Sequence, residues 1–79
     1  MNNATIYQIK DYGLVRIKLN QCLTERHMTK NALARSTNTR YEVVRKWCSG
    51  HVERIDADVL ARFCYVLDCP VEDLIEYQK

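Results

Sequence analysis

Five side chains with long polar ends, Arg40, Tyr41, Glu42, Arg45 and Lys46, fall within seven consecutive positions. Their chemistry suits a polyanion whose edges carry both donors and acceptors. Lys46 can donate to guanine O6 or N7, and Glu42 can accept from cytosine N4. Tyr41 offers its ring to a thymine methyl and its hydroxyl to a phosphate. Arg40 and Arg45 flank that set and suit phosphate or guanine. Upstream, Lys30 and Asn31 follow Thr29, a good N-cap, and so belong to the first turn of a helix whose free amides point outward, where anions bind. Both are equally compatible with an ordinary solvated first turn.

Two helices must position these groups. Behind Thr29, Ala32, Leu33 and Ser36 recur at helical spacing. The run Ser36-Thr37-Asn38-Thr39 then breaks the pattern, with Asn38 suited to a left-handed turn. A second helix carries Val44, Trp47 and Cys48 on one face and ends at Ser49-Gly50. Two short helices crossing steeply through so tight a turn offer the second to a DNA major groove. Trp47 shares its face with Val44 and reads as core rather than as a stacking residue. Glu42 has a competing task, because Thr39-x-x-Glu42 has capping-box spacing.

The stretch LTERHMTKNALARSTNTRYEVVRKWCSG resembles the Cro and phage-repressor type helix-turn-helix family, also called XRE-like. The later RIDADVLARFCYVLDCPVEDLIEY resembles the last two helices of the same domains, so the resemblance spans about residues 15 to 77. It implies an all-α dominated, five-helix repressor-like DNA-binding domain built on a helix-turn-helix at residues 29 to 50. It also places Tyr41, Glu42 and Lys46 at base-reading positions and Lys30 at a phosphate-contacting one. Ser49, His51 and Arg54 fall where the family again approaches the DNA backbone. The chain departs from the pattern at His27 and Asn38, where glycine is usual. It departs again at Thr39, where isoleucine is usual, and at Arg40, often an N-cap serine. These changes keep the turn but leave the start of the second helix open by one residue.

Seventy-nine residues suit one small domain, and an apolar share of 47% supports a core. Two glycines and one proline favour helices over an all-β fold. No apolar run approaches the length of a membrane span and the N-terminus lacks a signal-peptide core, so a cytoplasmic location is expected. The net charge of +2 is unevenly spread. Residues 26 to 54 hold seven Lys or Arg against two acids, whereas residues 55 to 79 hold two against six. The basic part coincides with the helix-turn-helix, as expected for a polyanion partner, although a solvated basic surface would look the same. Arg62, in the acidic part, is expected to take no part in binding.

Cys22, Cys48 and Cys64 fall on apolar helix faces, where a free thiol acts as a small hydrophobe. With no secretory signal, reduced thiols are expected rather than disulfides. Cys69 has the best case for exposure and redox sensitivity. Cys48-x-x-His51 with Cys64 or Cys69 could contribute to a zinc site, but paired CxxC knuckles are absent, and neither metal nor cofactor is expected.

Before the helix-turn-helix, Leu19, Cys22, Leu23 and Arg26 predict a helix over about 17 to 26. Ahead of it, the alternating segments 5 to 9 and 14 to 18, separated by Lys10-Asp11-Tyr12-Gly13, predict a β-hairpin; a disordered arm is the alternative. Asp56 should cap a fourth helix carrying Val59, Leu60, Phe63, Cys64 and Leu67. Pro70 should open a fifth, with Leu74 and Ile75 packed inward.

No serine has a plausible His and Asp partner and no glycine-rich loop cradles a phosphate, so no enzyme is expected. The expected function is sequence-specific binding of double-stranded DNA as a prokaryotic or phage transcriptional regulator, a repressor working as a homodimer. The interface would come from the N-terminal hairpin or from Leu74, Ile75 and Tyr77. The alternative is an antitoxin-like or other protein-interaction module that keeps the fold without reading DNA.

Overall fold

The computed structural model describes residues 11–79, and the expected strand over 5 to 9 lies outside them. In chain order the elements are β1 (Leu14–Ile17), α1 (Leu19–Glu25), α2 (Lys30–Ser36), α3 (Tyr41–Ser49), α4 (Ala57–Leu67), a single 3-10 turn (Val71–Asp73) and β2 (Ile75–Gln78). The four helices follow the sequence reading closely, because each has an apolar stripe and most have clear end signals. Thr29 Oγ1 accepts from Ala32 N at 3.0 Å to start α2. Asp56 Oδ1 accepts from Asp58 N and Val59 N at 2.8 and 3.2 Å to start α4.

Three helices end in the same way. In each, a residue in the left-handed conformation follows the last turn, and two amides fold back onto it: His27 after α1, Asn38 after α2 and Asp68 after α4, with φ of 54, 52 and 51°. After α2, Thr39 N reaches Ala34 O at 2.9 Å and Asn38 N reaches Arg35 O at 3.3 Å. The same pair of bonds joins Met28 and His27 to Leu23 and Thr24, and Cys69 and Asp68 to Cys64 and Tyr65. These are Schellman closures, which glycine usually serves because it lacks the Cβ that crowds this conformation. Here only α3 ends on glycine, Gly50 at φ 83°.

The core is assembled from Leu19, Cys22 and Leu23 of α1, Leu33 and Ala34 of α2, Val44 and Trp47 of α3, and Val59, Phe63 and Leu67 of α4, closed below by Leu74. Leu60, expected among them, is only partly buried, and Val59 takes the inward position. Phe63, Leu19, Leu33, Leu74 and Val44 are fully enclosed.

The expected fifth helix does not form. After Pro70 the chain makes only the 3-10 turn, then runs as β2 antiparallel to β1, with Val15 opposite Tyr77, Arg16 opposite Glu76 and Ile17 opposite Ile75. Ile75 and Tyr77 are strand formers, and β1 stands across from them to pair with their backbone. Among the described residues, the partner of β1 is β2. A two-stranded ribbon is marginal alone. This one is tied down by Ile17 and Ile75 packed on the core, and by a bond from Lys18 N to Leu74 O at 2.7 Å. Glu76 bridges to Lys18 at 3.1 Å and to Arg16 at 3.6 Å across its surface. Gly13, at φ 84°, lets the backbone pass against Gln78 O, where a Cβ would collide.

Candidate nucleic-acid interface

Helix α3 has two opposed faces. Val44 and Trp47 are buried, with Val43 and Cys48 half-buried beside them. Tyr41, Glu42, Arg45 and Lys46 are exposed, as is Arg40 immediately before the helix. The buried residues fix the rotation of α3, so the polar set faces solvent as a consequence of packing rather than by choice of rotamer.

Arg40 is the residue before the first helical turn, with extended backbone (φ −62°, ψ 143°) and no side-chain cap. Of the two tasks open to Glu42, the Thr39-x-x-Glu42 capping box is not made. Thr39 lies outside the cap position, and its hydroxyl sits 2.9 Å from that of Thr37. Glu42 is thus left exposed in the first turn of α3, where its charge complements the positive end of the helix.

The fold brings the first turn of α2 to the start of α3. Tyr41 lines one shallow depression with Thr29, Lys30 and Asn31, to which α1 adds Asn20 and Thr24. It lines a second with Asn31, Arg35, Asn38, Thr39 and Arg40. Tyr41 and Asn31 therefore stand at the junction of the two helices, with cations on both sides. Arg35, Asn20 and Thr24 were not singled out from the sequence. Arg35 was legible as one of the basic residues of the segment, but nothing local marks Asn20 and Thr24, which reach the depression only because α1 packs against α3.

At the other end of α3, His51 and Arg54 are exposed in the loop leading to α4. Ser49 is less available than expected. Its hydroxyl donates to Lys46 O at 2.6 Å and accepts from His51 N at 3.4 Å, closing the helix end internally.

Arg62 of α4, in the acidic part of the sequence, reaches the turn between α2 and α3. Its Nη1 donates to Thr37 O at 2.9 Å and to Asn38 O at 3.1 Å, across 25 and 24 residues of sequence. Its Nη2 pairs with Asp58 at 3.0 Å. A cation thus meets the carbonyls that close α2, at the negative end of that helix.

The thiols are free. Cys69, expected to be the exposed one, is half-buried, and burial together with the neighbouring thiols of Cys22 and Cys64 pushes it up to about 11. Burial also raises Cys48, partly opposed by the nearby Lys30 ammonium. Among the described residues no cluster of His, Cys, Asp or Glu could hold a metal, and no helix is long and apolar enough to cross a membrane.

Comparison with solved structures finds the same architecture elsewhere. A candidate DNA-binding protein from Bacteroides fragilis is 21% identical, with a TM-score of 0.71 over 80% of this chain and 100% of that one. The transcriptional regulator VanUg is 25% identical, with a TM-score of 0.67 over 94% of this chain and 96% of that one. No match is found among curated proteins. The family model of the Cro/C1-type HTH DNA-binding domain matches residues 18–79, which takes in all four helices, the 3-10 turn and β2. The chain accordingly belongs to the Cro/C1-type helix-turn-helix DNA-binding domain family.

Proposed function

We propose that this chain is a single helix-turn-helix domain that binds double-stranded DNA in a sequence-specific way. It acts as a cytoplasmic transcriptional regulator of prokaryotic or phage type, as a repressor. The observation that carries this reading is the opposition of faces on α3. Trp47 and Val44 lock one face into the core, while Tyr41, Glu42, Arg45 and Lys46 stand together on the other. A helix held in this way can lie in the major groove, where each base pair presents its own donor and acceptor pattern. Membership of a DNA-binding family and the likeness to VanUg, described as a transcriptional regulator, support the same reading.

Within it, Tyr41, Glu42 and Lys46 read base edges, with Arg40 and Arg45 at the groove margins. Lys30, Asn31, His51 and Arg54 hold phosphates at either end, and Arg35 joins them from the end of α2. Ser49 has no proton left to offer a phosphate, since its hydroxyl donates to Lys46 O. One such helix reads only a few base pairs, so useful specificity calls for two copies on a palindrome. Leu74 is fully buried and cannot supply a dimer interface; Tyr77 remains available on the exposed sheet.

The test is selection of bound sites from a random duplex pool, followed by affinity against salt and light scattering of the complex. Expected are an enriched palindrome, a steep linear loss of affinity with salt, and two chains per duplex. Absence of salt-dependent binding to any duplex would overturn the reading and leave a protein-interaction module in its place.

A further inference from the structure

We infer that Arg62, which no DNA-facing element contains, is a positioning residue that sets how α3 is presented to the groove; this rests on the DNA-binding reading above. The turn between α2 and α3 is four residues long, from Thr37 to Arg40, and its backbone sets the angle at which α3 leaves α2. Its geometry depends on Asn38 holding a left-handed conformation at φ 52° without being glycine. The Thr37 carbonyl is held by the Arg62 guanidinium at 2.9 Å, and the Asn38 carbonyl by the same nitrogen at 3.1 Å. One group thus orients two successive peptide planes.

The other polar contacts of the turn are local. The Thr37 hydroxyl donates to Leu33 O at 2.6 Å, and the Thr39 hydroxyl reaches back only to Thr37. Among the described residues, Arg62 supplies the side-chain hydrogen bonds that tie this turn to a distant helix. Asp58, one turn earlier on α4, pairs with Nη2 at 3.0 Å from an exposed side chain, a surface contact that adds little, and Nε is buried without a hydrogen-bond partner. Phe63, the next residue, packs edge-on against Trp47. Helix α4 therefore grips the start of the reading helix through Arg62 and its middle through Phe63. The first grip acts on the main chain of the turn, whatever side chains α3 presents.

The variants are Arg62→Met, which keeps the aliphatic stem and removes the donors, Arg62→Lys, which keeps the cation, and Asp58→Asn. Each is tested against a duplex selected by the wild-type protein and a scrambled duplex of the same composition. Binding is measured at a temperature where circular dichroism shows the variant fully folded. Arg62→Met should bind the selected duplex about tenfold more weakly and discriminate less against the scrambled one, the scale expected of residues that act without touching the ligand. Arg62→Lys should recover part of both, and Asp58→Asn should stay within about twofold of wild type. In the absence of DNA, amide resonances of Asn38, Thr39 and residues 41–44 should move in Arg62→Lys, while those of β1 and β2 stay in place.

Folded Arg62→Met with wild-type affinity and discrimination would overturn the inference. So would unmoved turn resonances, or an Asp58→Asn defect as large as that of Arg62→Met. Failure of the wild-type protein to select any duplex would instead defeat the DNA-binding reading, and the resonance measurement would still decide whether Arg62 sets the turn.

Discussion

The indole of Trp47 stands edge-on to the ring of Phe63, with centroids 5.2 Å apart and planes at 86°. This pairing anchors the middle of α3 to α4, so the surface offered to a ligand and the stability of the fold share one contact. Trp47 is 3% exposed. Trp47→Ala should cost about 3–5 kcal/mol, a large part of what a domain of this size has, and thermal melting would read it. A melting temperature close to wild type would remove Trp47 from the core and with it the rotation of α3 argued above.

Lys30 and Lys46 should differ in kind. Lys46→Ala should cost about 1–3 kcal/mol on the preferred duplex and relax preference at one base pair. Lys30→Ala should weaken all duplexes alike and lower the salt slope by about one unit, because it removes a phosphate contact. Salt titrations on matched and single-mismatch duplexes separate the two. Identical profiles would mean that α3 does not read bases through Lys46.

His27 closes α1 at φ 54° without the freedom of glycine. A left-handed conformation costs an L-residue about 1–2 kcal/mol, of which glycine gives back roughly 0.5–1 in chain entropy. His27→Gly should therefore stabilise the protein by about 0.5–1 kcal/mol in urea unfolding. A loss of stability would indicate that the exposed imidazole makes a favourable contact that outweighs the strain.

Cys69, held up to about 11, should alkylate slowly. Reaction runs through the thiolate, and an ordinary thiol near 8.5 is far more ionised at pH 8. Iodoacetamide labelling followed by mass spectrometry should find Cys69 slower in the native protein than in urea by roughly two orders of magnitude. Equal rates would place the thiol in open solvent.

Glu76 sits between Lys18 and Arg16, and the bond from the Lys18 ammonium, ahead of charge attraction, pulls its carboxyl below the ordinary range. A carboxylate lowered in the folded state stabilises above its unfolded value, and that stability is lost as pH falls through the folded one. The melting temperature of wild type should thus exceed that of Glu76→Gln at neutral pH. The gap should close as pH drops below the usual carboxylate value. A gap that persists in strong acid would point to packing rather than charge.

The sequence by itself determined the four helices, the turn at Asn38 and the polar face that α3 exposes. The reason is that helical periodicity and capping are short-range. Leu33, Val44 and Trp47 mark the buried stripe, Thr29 and Asp56 mark starts, and Gly50 marks an end, all within a turn or two of the residues they organise. Once the stripe is known, the residues left on the other face follow.

What the tertiary structure decided lies where the outcome turns on partners far along the chain. The segment after Pro70 carries acids suited to a helix start and also the alternation of a strand. Only the presence of β1 across from Ile75 and Tyr77 selects the strand. Glu42 was balanced between capping and display until Thr39 turned towards Thr37. Arg62 looked like a stray cation in the acidic C-terminal part, because the carbonyls that hold it are 24 and 25 residues away and their main-chain acceptors leave no mark in the side-chain code.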